Sequence, residues 1–274
     1  MITVHGFESK FWTFPGGERS VKLTPTERTP GMPFGMRMDF KNSDDLIDMI
    51  LATNALRHMY GPDVAIELTV PYFPFSRQDR VMTDGESFGL QAAVDMIKLC
   101  NFNHVNTWDI HSDVAGAMFP AGVFRNISQA DLWENYIFAH VSPTERAVII
   151  SPDAGALKKI YKVAQTTGAN VVEAKKVRDV ATGHIVDTQI DSTQLDSVDT
   201  AIIVDDICDG GRTFVELAKV IRASECFKGK LILCVTHGIF SKGVGELSGL
   251  DIFDKIYTQN NINNVDLDAF NNHG

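Results

Sequence analysis

The chain has 274 residues, 44% of them hydrophobic, and a formal net charge of −10, enough apolar material for one large α/β core or two of ordinary size. That acidic balance excludes a general attraction to nucleic acid or anionic membrane, so neither is expected as a partner, and any phosphate site must be built from backbone dipoles, a few cations or bound Mg²⁺. Cys100, Cys208, Cys226 and Cys234 form no CxxC pair, and no signal-like or membrane-length apolar run is present, which argues for a soluble, cytoplasmic protein without disulfide or zinc scaffold.

Apolar strand-like runs, each followed by a polar loop and a helical pattern, give the sequence form of a parallel α/β sheet. After Ser43, read as an N-cap with Asp44 and Asp45 in the first turn, Leu46, Ile47, Met49, Ile50, Leu56 and Met59 recur at helical spacing until Gly61-Pro62, and core packing is expected of them. Strands are expected at Val64–Val70, His104–Ile110, Ala147–Ile150, Ala201–Val204 and Leu231–Val235, and helices near Glu86–Leu99, Ala156–Gln165 and Thr213–Arg222. Gly122–Pro143 has weaker periodicity and is read as the passage between two α/β halves, 1–143 and 144–274. The asparagine-rich C-terminus is expected to be partly mobile.

The loops after these strands hold the reactive groups. Pro71–Arg80, PYFPFSRQDR, joins aromatics to Arg77 and Gln78, a set suited to a base and phosphates, although two arginines and an aspartate are more often a surface salt-bridge network. In WDIHSD, Asp109 and His111 lie two apart and share a side if the strand continues; His111 is either a turn cap or a metal or phosphate contact. In SPDAG, Asp153 is a helix cap or a Mg²⁺ ligand. In AKKVRD, Lys175, Lys176 and Arg178 form a solvated charged loop or a mobile cationic lid over a phosphoryl group.

The densest stretch is TAIIVDDICDGGRTF, Thr200–Phe214. Its apolar run suits a strand buried on both faces, and ligands in such sheets sit beyond the strands' carboxyl ends. Asp205 and Asp206 emerging there can accept hydrogen bonds from vicinal sugar hydroxyls. Gly210 and Gly211 let backbone N–H groups close round a phosphate before a helix near Thr213.

DDICDGGRT resembles the phosphoribosyl-diphosphate (PRPP) binding loop shared by phosphoribosyltransferases and PRPP synthetases. RQDR, WDIHSD, SPDAG and DDICDGGRT, in that order, together resemble the ribose-phosphate diphosphokinase (PRPP synthetase) family in a compact form; FPGGE at Phe14–Glu18 and THGIFSKG at Thr236–Gly243 are similar to further family segments. The resemblance implies two phosphoribosyltransferase-like α/β domains, each a mainly parallel sheet flanked by helices, and transfer of the diphosphoryl group of MgATP to ribose 5-phosphate. It implies ATP binding by Arg77 and Gln78, with Phe14 and Glu18 reaching a neighbouring subunit of a homo-oligomer, and metal contacts from His111 and Asp153. Asp205, Asp206, Asp209, Gly210, Gly211, Arg212 and Thr213 would hold ribose 5-phosphate, and Lys176 and Arg178 would close over the transferring group.

The sequence departs from the family pattern at Gly16, where an aspartate or asparagine is usual, at Thr83 and Gly85, where arginines are expected, and at Gly210, Gly211 and Arg212. Two other classes stay open on sequence: a phosphoribosyltransferase consuming PRPP, and a noncatalytic regulator associated with active synthetases.

Overall fold

A computed structural model of the chain describes residues 1–27, 31–141, 145–178, 185–248 and 252–267, with the backbone alone at 138–140, 176–178, 185–187, 246 and 248. It divides into two compact units, Met1–Ile127 and Ser128–Gly274.

The first unit runs through β1 (Ile2–Val4), β2 (Phe7–Thr13), β3 (Arg19–Pro25), β4 (Phe34–Met38), α1 (Asp44–Tyr60), β5 (Ile66–Thr69), α2 (Gly89–Leu99), β6 (His104–Trp108), α3 (Val114–Ala117) and β7 (Phe124–Ile127). Its sheet has the order β1-β4-β5-β6-β7, parallel except for the antiparallel edge strand β1. Strands β2 and β3 form a separate antiparallel hairpin, tied to α1 where the Arg19 guanidinium pairs with the buried Asp48.

Helix α1 turns Leu46, Met49 and Leu56 into the core, but Ile47 and Met59 are 41% and 43% exposed, so not every apolar residue of that run is a core residue. Ser43 makes no side-chain cap. It already has helical angles, and its neighbours do the capping: Asp45 Oδ2 accepts from Lys41 N at 2.7 Å, and Asn42 Oδ1 from Asp44 N at 2.9 Å.

The second unit runs through α4 (Gln129–His140), β8 (Ala147–Ser151), α5 (Leu157–Thr167), β9 (Asn170–Arg178), β10 (Ile185–Ile190), β11 (Thr200–Cys208), α6 (Arg212–Ala223), β12 (Lys230–Gly238), α7 (Gly245–Ser248) and β13 (Lys255–Asn261). Its sheet order is β10-β9-β8-β11-β12-β13, again parallel save for edge strand β10. Successive strand residues point to opposite faces, and both faces are covered. Ala201, Ile203, Leu231 and Leu233 pack with α6 through Phe214, Leu217 and Ile221. Ile202, Val204, Ile232 and Cys234 pack with α4 and α5 through Trp133, Ile160 and Val163. Double burial is why these strands read as unbroken apolar runs.

The units part between Ile127 and Ser128, whereas the sequence reading places the passage near residue 143; within that stretch lie β7 and α4. Ser128 and Asp131 form a capping box at the start of α4, and Trp133 Nε1 donates to Thr236 Oγ1 of β12 at 3.1 Å. The asparagines near the C-terminus also hold structure together. Asn261 both accepts from Val265 N and donates to its carbonyl, and Asn263 donates to Ile239 O; residues 268–274 lie outside the described part.

Candidate active site

Strand β11 outlasts the aspartate pair. It pairs with β12 through Cys208↔Gly238 but with β8 only as far as Ile203↔Ile150, so the Ser151–Gly155 loop leaves the sheet as β11 approaches Asp205 and Asp206. The strand expected over Ala201–Val204 thus runs on through both carboxylates, and being consecutive in it they leave on opposite faces. Asp206 is 8% exposed, and the Lys159 ammonium of α5 sits 3.0 Å from its Oδ2. Asp205 is half-buried, and its Oδ1 accepts from Asp206 N at 2.9 Å. Sequence reasoning misses Lys159; its only signal is a lysine in the first turn of the helix that follows SPDAG.

Beyond β11 the chain turns through Asp209 and Gly210 to Gly211, which stands at the N-cap of α6 with φ of 78°. A Cβ at Gly211 would meet Leu247 at 3.0 to 3.2 Å, whereas one at Gly210 would make ordinary contact with the Lys242 stem at 3.7 Å. Only Gly211 is thus demanded by conformation and space. The helix begins at Arg212, whose side chain is exposed, and its first N–H groups have no acceptor one turn back within the helix. Cys208 is buried, and burial first, then the charges of Asp205 and Asp209, push its thiol up to about 12, so it is no nucleophile.

Asp153 serves its own loop. Its Oδ1 accepts from Ala156 N at 3.1 Å at the start of α5, and its carbonyl accepts from Ser151 Oγ at 2.8 Å. Lys176 and Arg178 lie on β9, opposite Thr188 and Ile185 of β10. AKKVRD is accordingly a strand through Arg178, not a loop, because β9 runs on past its last partner in β8, Ser151↔Glu173, and pairs from Ala174 to Arg178 with β10. The Lys176 and Arg178 side chains, Asp179 and the continuation to Gly183 lie outside the described part.

In the first unit, Phe73 is 1% exposed and packs edge-on against Phe119 and Phe124; this aromatic of PYFPFSRQDR belongs to the core, leaving it unable to stack on a base. Phe75 takes φ of 58° and accepts from Gln78 N at 2.8 Å, a tight turn that presents Arg77 and Gln78 on the surface. The Gln78 side chain lies so close over Gly89 that a Cβ there would collide with its Oε1. Asp79 and Arg80 form a two-pronged ion pair at 2.8 and 2.9 Å. The Arg80 bonds hold the Asp79 carboxyl down at about 2 against the effect of burial, helped by a hydrogen bond from Ser112 and the charge of His111. RQDR and WDIHSD therefore meet at Asp79, a link that spacing does not reveal.

Strand β6 stops at Trp108, and Asp109 turns into the left-handed region with φ of 38°. The expected alternation from Asp109 to His111 is broken: Asp109 is 1% exposed and His111 is exposed. Phe14 and Glu18 flank the tip of the β2/β3 hairpin, closed by Gly17 N to Phe14 O at 2.8 Å, with Phe14 49% exposed. A Cβ at Gly16 would come within 2.5 Å of the Glu18 carboxylate, so the departure from the family's larger residue leaves room for Glu18 to fold back over the turn.

Among the described residues no group of three or more His, Cys, Asp or Glu is arranged to hold a metal ion. Magnesium carried on nucleotide phosphates takes oxygen ligands, with only one or two protein carboxylates; the Asp153 carboxylate fits that donor pattern, whereas His111 would bring an imidazole nitrogen in place of an oxygen. No helix among the described residues is long and apolar enough to cross a membrane.

No protein-family model matches the chain. It is 29% identical over 237 residues to the ribose-phosphate pyrophosphokinase of Pyrococcus abyssi, covering 85% of this chain and 77% of that one. It is 26% identical over 262 residues to the enzyme of that name from Thermosipho africanus, covering 93% and 78%, and 25% identical over 248 residues to that of Methanothermobacter thermautotrophicus, covering 87% and 82%. Among solved structures, phosphoribosylpyrophosphate synthetase from Mycobacterium smegmatis aligns over 92% of this chain and 80% of that one, with a TM-score of 0.75 at 21% identity, a likeness of fold.

Proposed function

We propose that the chain is a ribose-phosphate pyrophosphokinase, like the enzymes of that name to which it is similar over most of its length, and that it transfers the β,γ-diphosphoryl group of MgATP to the C1 hydroxyl of ribose 5-phosphate, giving PRPP and AMP. The observation that carries the reading is the Asp205–Thr213 segment, which joins a central parallel strand to an amphipathic helix through left-handed Gly211, in a chain similar over most of its length to enzymes named for this reaction.

In the reaction the sugar's C1 oxygen bonds to the β-phosphorus as the bond from that phosphorus to the α,β-bridging oxygen breaks. The hydroxyl proton is lost and AMP departs with the bridging oxygen. Such a step needs alignment and charge neutralisation more than a covalent intermediate, consistent with a Cys208 thiol held protonated. Asp205 and Asp206 are assigned to the ribose hydroxyls, and Asp209, Gly210, Gly211, Arg212 and Thr213 to the 5-phosphate. Arg77 and Gln78 are assigned to ATP, with Phe14 and Glu18 serving a neighbouring subunit's ATP site in a homo-oligomer. Lys176 and Arg178 are the proposed contacts to the transferring group. Magnesium, when bound to the nucleotide phosphates, supplies charge neutralisation there, and His111 and Asp153 are its proposed protein contacts. A cytoplasmic location accords with these substrates.

Phosphorus NMR of the purified protein with Mg²⁺, ATP and ribose 5-phosphate tests this. AMP and a sugar C1 diphosphate should appear in equal amounts; ADP in place of AMP, or no turnover by folded protein, overturns it.

A further inference from the structure

The proposed 5-phosphate loop is rich in negative charge: Asp205 and Asp206 precede it and Asp209 opens it, and within it Arg212 alone carries positive charge. A sugar phosphate brings about −1.5 to −2 more at neutral pH. Lys159 offsets the Asp206 carboxylate and helix α6 supplies a favourable dipole equivalent to only about half a charge, so Asp205, Asp209 and an incoming phosphate leave a role for a further cation.

The structure supplies one from a neighbouring connection. After β12 the backbone makes a tight turn, closed by Gly243 N donating to Phe240 O at 2.8 Å, with Ser241 and Lys242 at its tip. The turn is fixed on three sides. Ile239 N and Phe240 N both donate to Cys208 O, at 2.8 and 3.2 Å, directly before Asp209. Asn263 Nδ2 donates to Ile239 O at 2.7 Å. Phe240, 1% exposed and held at φ of 48°, lays its ring on Gly238 so closely that any Cβ there would collide with it. The result is that Lys242 passes over Gly210, its Cδ and Cε both 3.7 Å from where a Gly210 Cβ would stand. An ammonium lies one bond beyond Cε, on an exposed side chain whose rotamers can follow a ligand.

Resting on the ribose 5-phosphate reading of this loop, we propose that Lys242 is a phosphate-binding residue of the same site, recognising the 5-phosphate from the β12–α7 turn. A side chain at Gly210 would touch the Lys242 stem in ordinary contact, so this position lies against the proposed phosphate contact without being closed to a Cβ.

Titration calorimetry of ribose 5-phosphate binding, with ribose as the control lacking phosphate, tests the proposal on wild type, K242M and K242R. K242M should bind ribose 5-phosphate about tenfold more weakly, in line with loss of a charge-assisted contact, and K242R within about threefold of wild type. Affinity should fall less steeply with salt in K242M, because one charge has left the site; a merely structural role would not change that slope. K242M binding as tightly as wild type overturns the Lys242 assignment alone. Wild type that fails to bind ribose 5-phosphate overturns the loop assignment beneath it.

Discussion

The Lys159 ammonium and the Asp206 carboxylate meet at 3.0 Å, tying the first turn of α5 to the carboxyl end of β11, with side chains 28% and 11% exposed. A carboxylate this sheltered is costly to leave without its cation. K159M should lower stability in urea by about 1–3 kcal/mol and weaken ribose 5-phosphate binding, because Asp206 loses its fixed orientation. The K159M/D206N double variant should recover part of the stability, since the carboxylate that faced the lost ammonium is neutral, but none of the binding. Unchanged urea midpoints in K159M would refute a structural role for the pair.

Adjacent glycines should respond differently to alanine. Gly211 has φ of 78° and Leu247 within 3.2 Å of any Cβ, whereas Gly210 has only the Lys242 stem at 3.7 Å. G211A should lose about 1–3 kcal/mol of stability from left-handed strain and crowding. G210A should stay within about 1 kcal/mol of wild type while weakening sugar-phosphate binding. Equal thermal midpoints for the two variants would contradict the loop geometry.

Lys176 is assigned a contact made to the transferring group. K176A should therefore lower kcat by about 10²–10³, the loss of about 2.7–4 kcal/mol typical of a donor to developing charge, with KM for ribose 5-phosphate little altered. Steady-state assay of PRPP formation decides it, and an undiminished kcat removes Lys176 from the mechanism.

The Asp79 carboxyl is held near 2, below its ordinary 3.8. A carboxyl depressed in the folded state contributes stability above its unfolded pKa, and that contribution is lost as pH falls through the folded value. Stability should thus decline between about pH 4 and pH 2 through this group. D79N should flatten that part of the profile and loosen the join between RQDR and Ser112. An identical acid profile for D79N in chemical denaturation would remove Asp79 as its source.

What the sequence made legible follows from where each residue finds its partners. Strands β8, β11 and β12 were readable because burial on both faces forces runs such as AIIV and LILCV. Strands β9, β10 and β13 carry Lys175, Gln189 and Gln259 and look like polar connections; backbone pairing makes them strands, β9 with its neighbour β10 and β13 with the buried β12. The site's loops were visible as motifs, but their facing was not. Asp205 and Asp206 divide between two faces because β11 continues past them, and the positive φ of Asp109 cancels the expected alternation to His111. Lys159 was invisible since its partner lies 47 residues away.

Helix α4 poses the same issue and yields a further test. Its periodicity is weak because its buried residues mix the small Ala130 and the polar Gln129 with Trp133 and Ile137, yet it lies against α5 and β12. Trp133 is 1% exposed, and its indole N–H donates to Thr236 at 3.1 Å. W133A should cost about 3–5 kcal/mol through the cavity. W133F, which keeps most of the volume but removes the indole donor to the Thr236 hydroxyl, should cost about 1–3 kcal/mol. The more telling variant is W133F/T236V, where both polar partners become apolar: stability should return toward wild type if the hydrogen bond, and not the ring's bulk, sets the W133F loss. Thr236 stands directly before His237 at the end of β12, so slackening this contact should also weaken ribose 5-phosphate binding through the turn that β12 leads into. A W133A protein as stable as wild type would mean that α4 does not pack on the second unit, and the boundary at Ile127 would have to move.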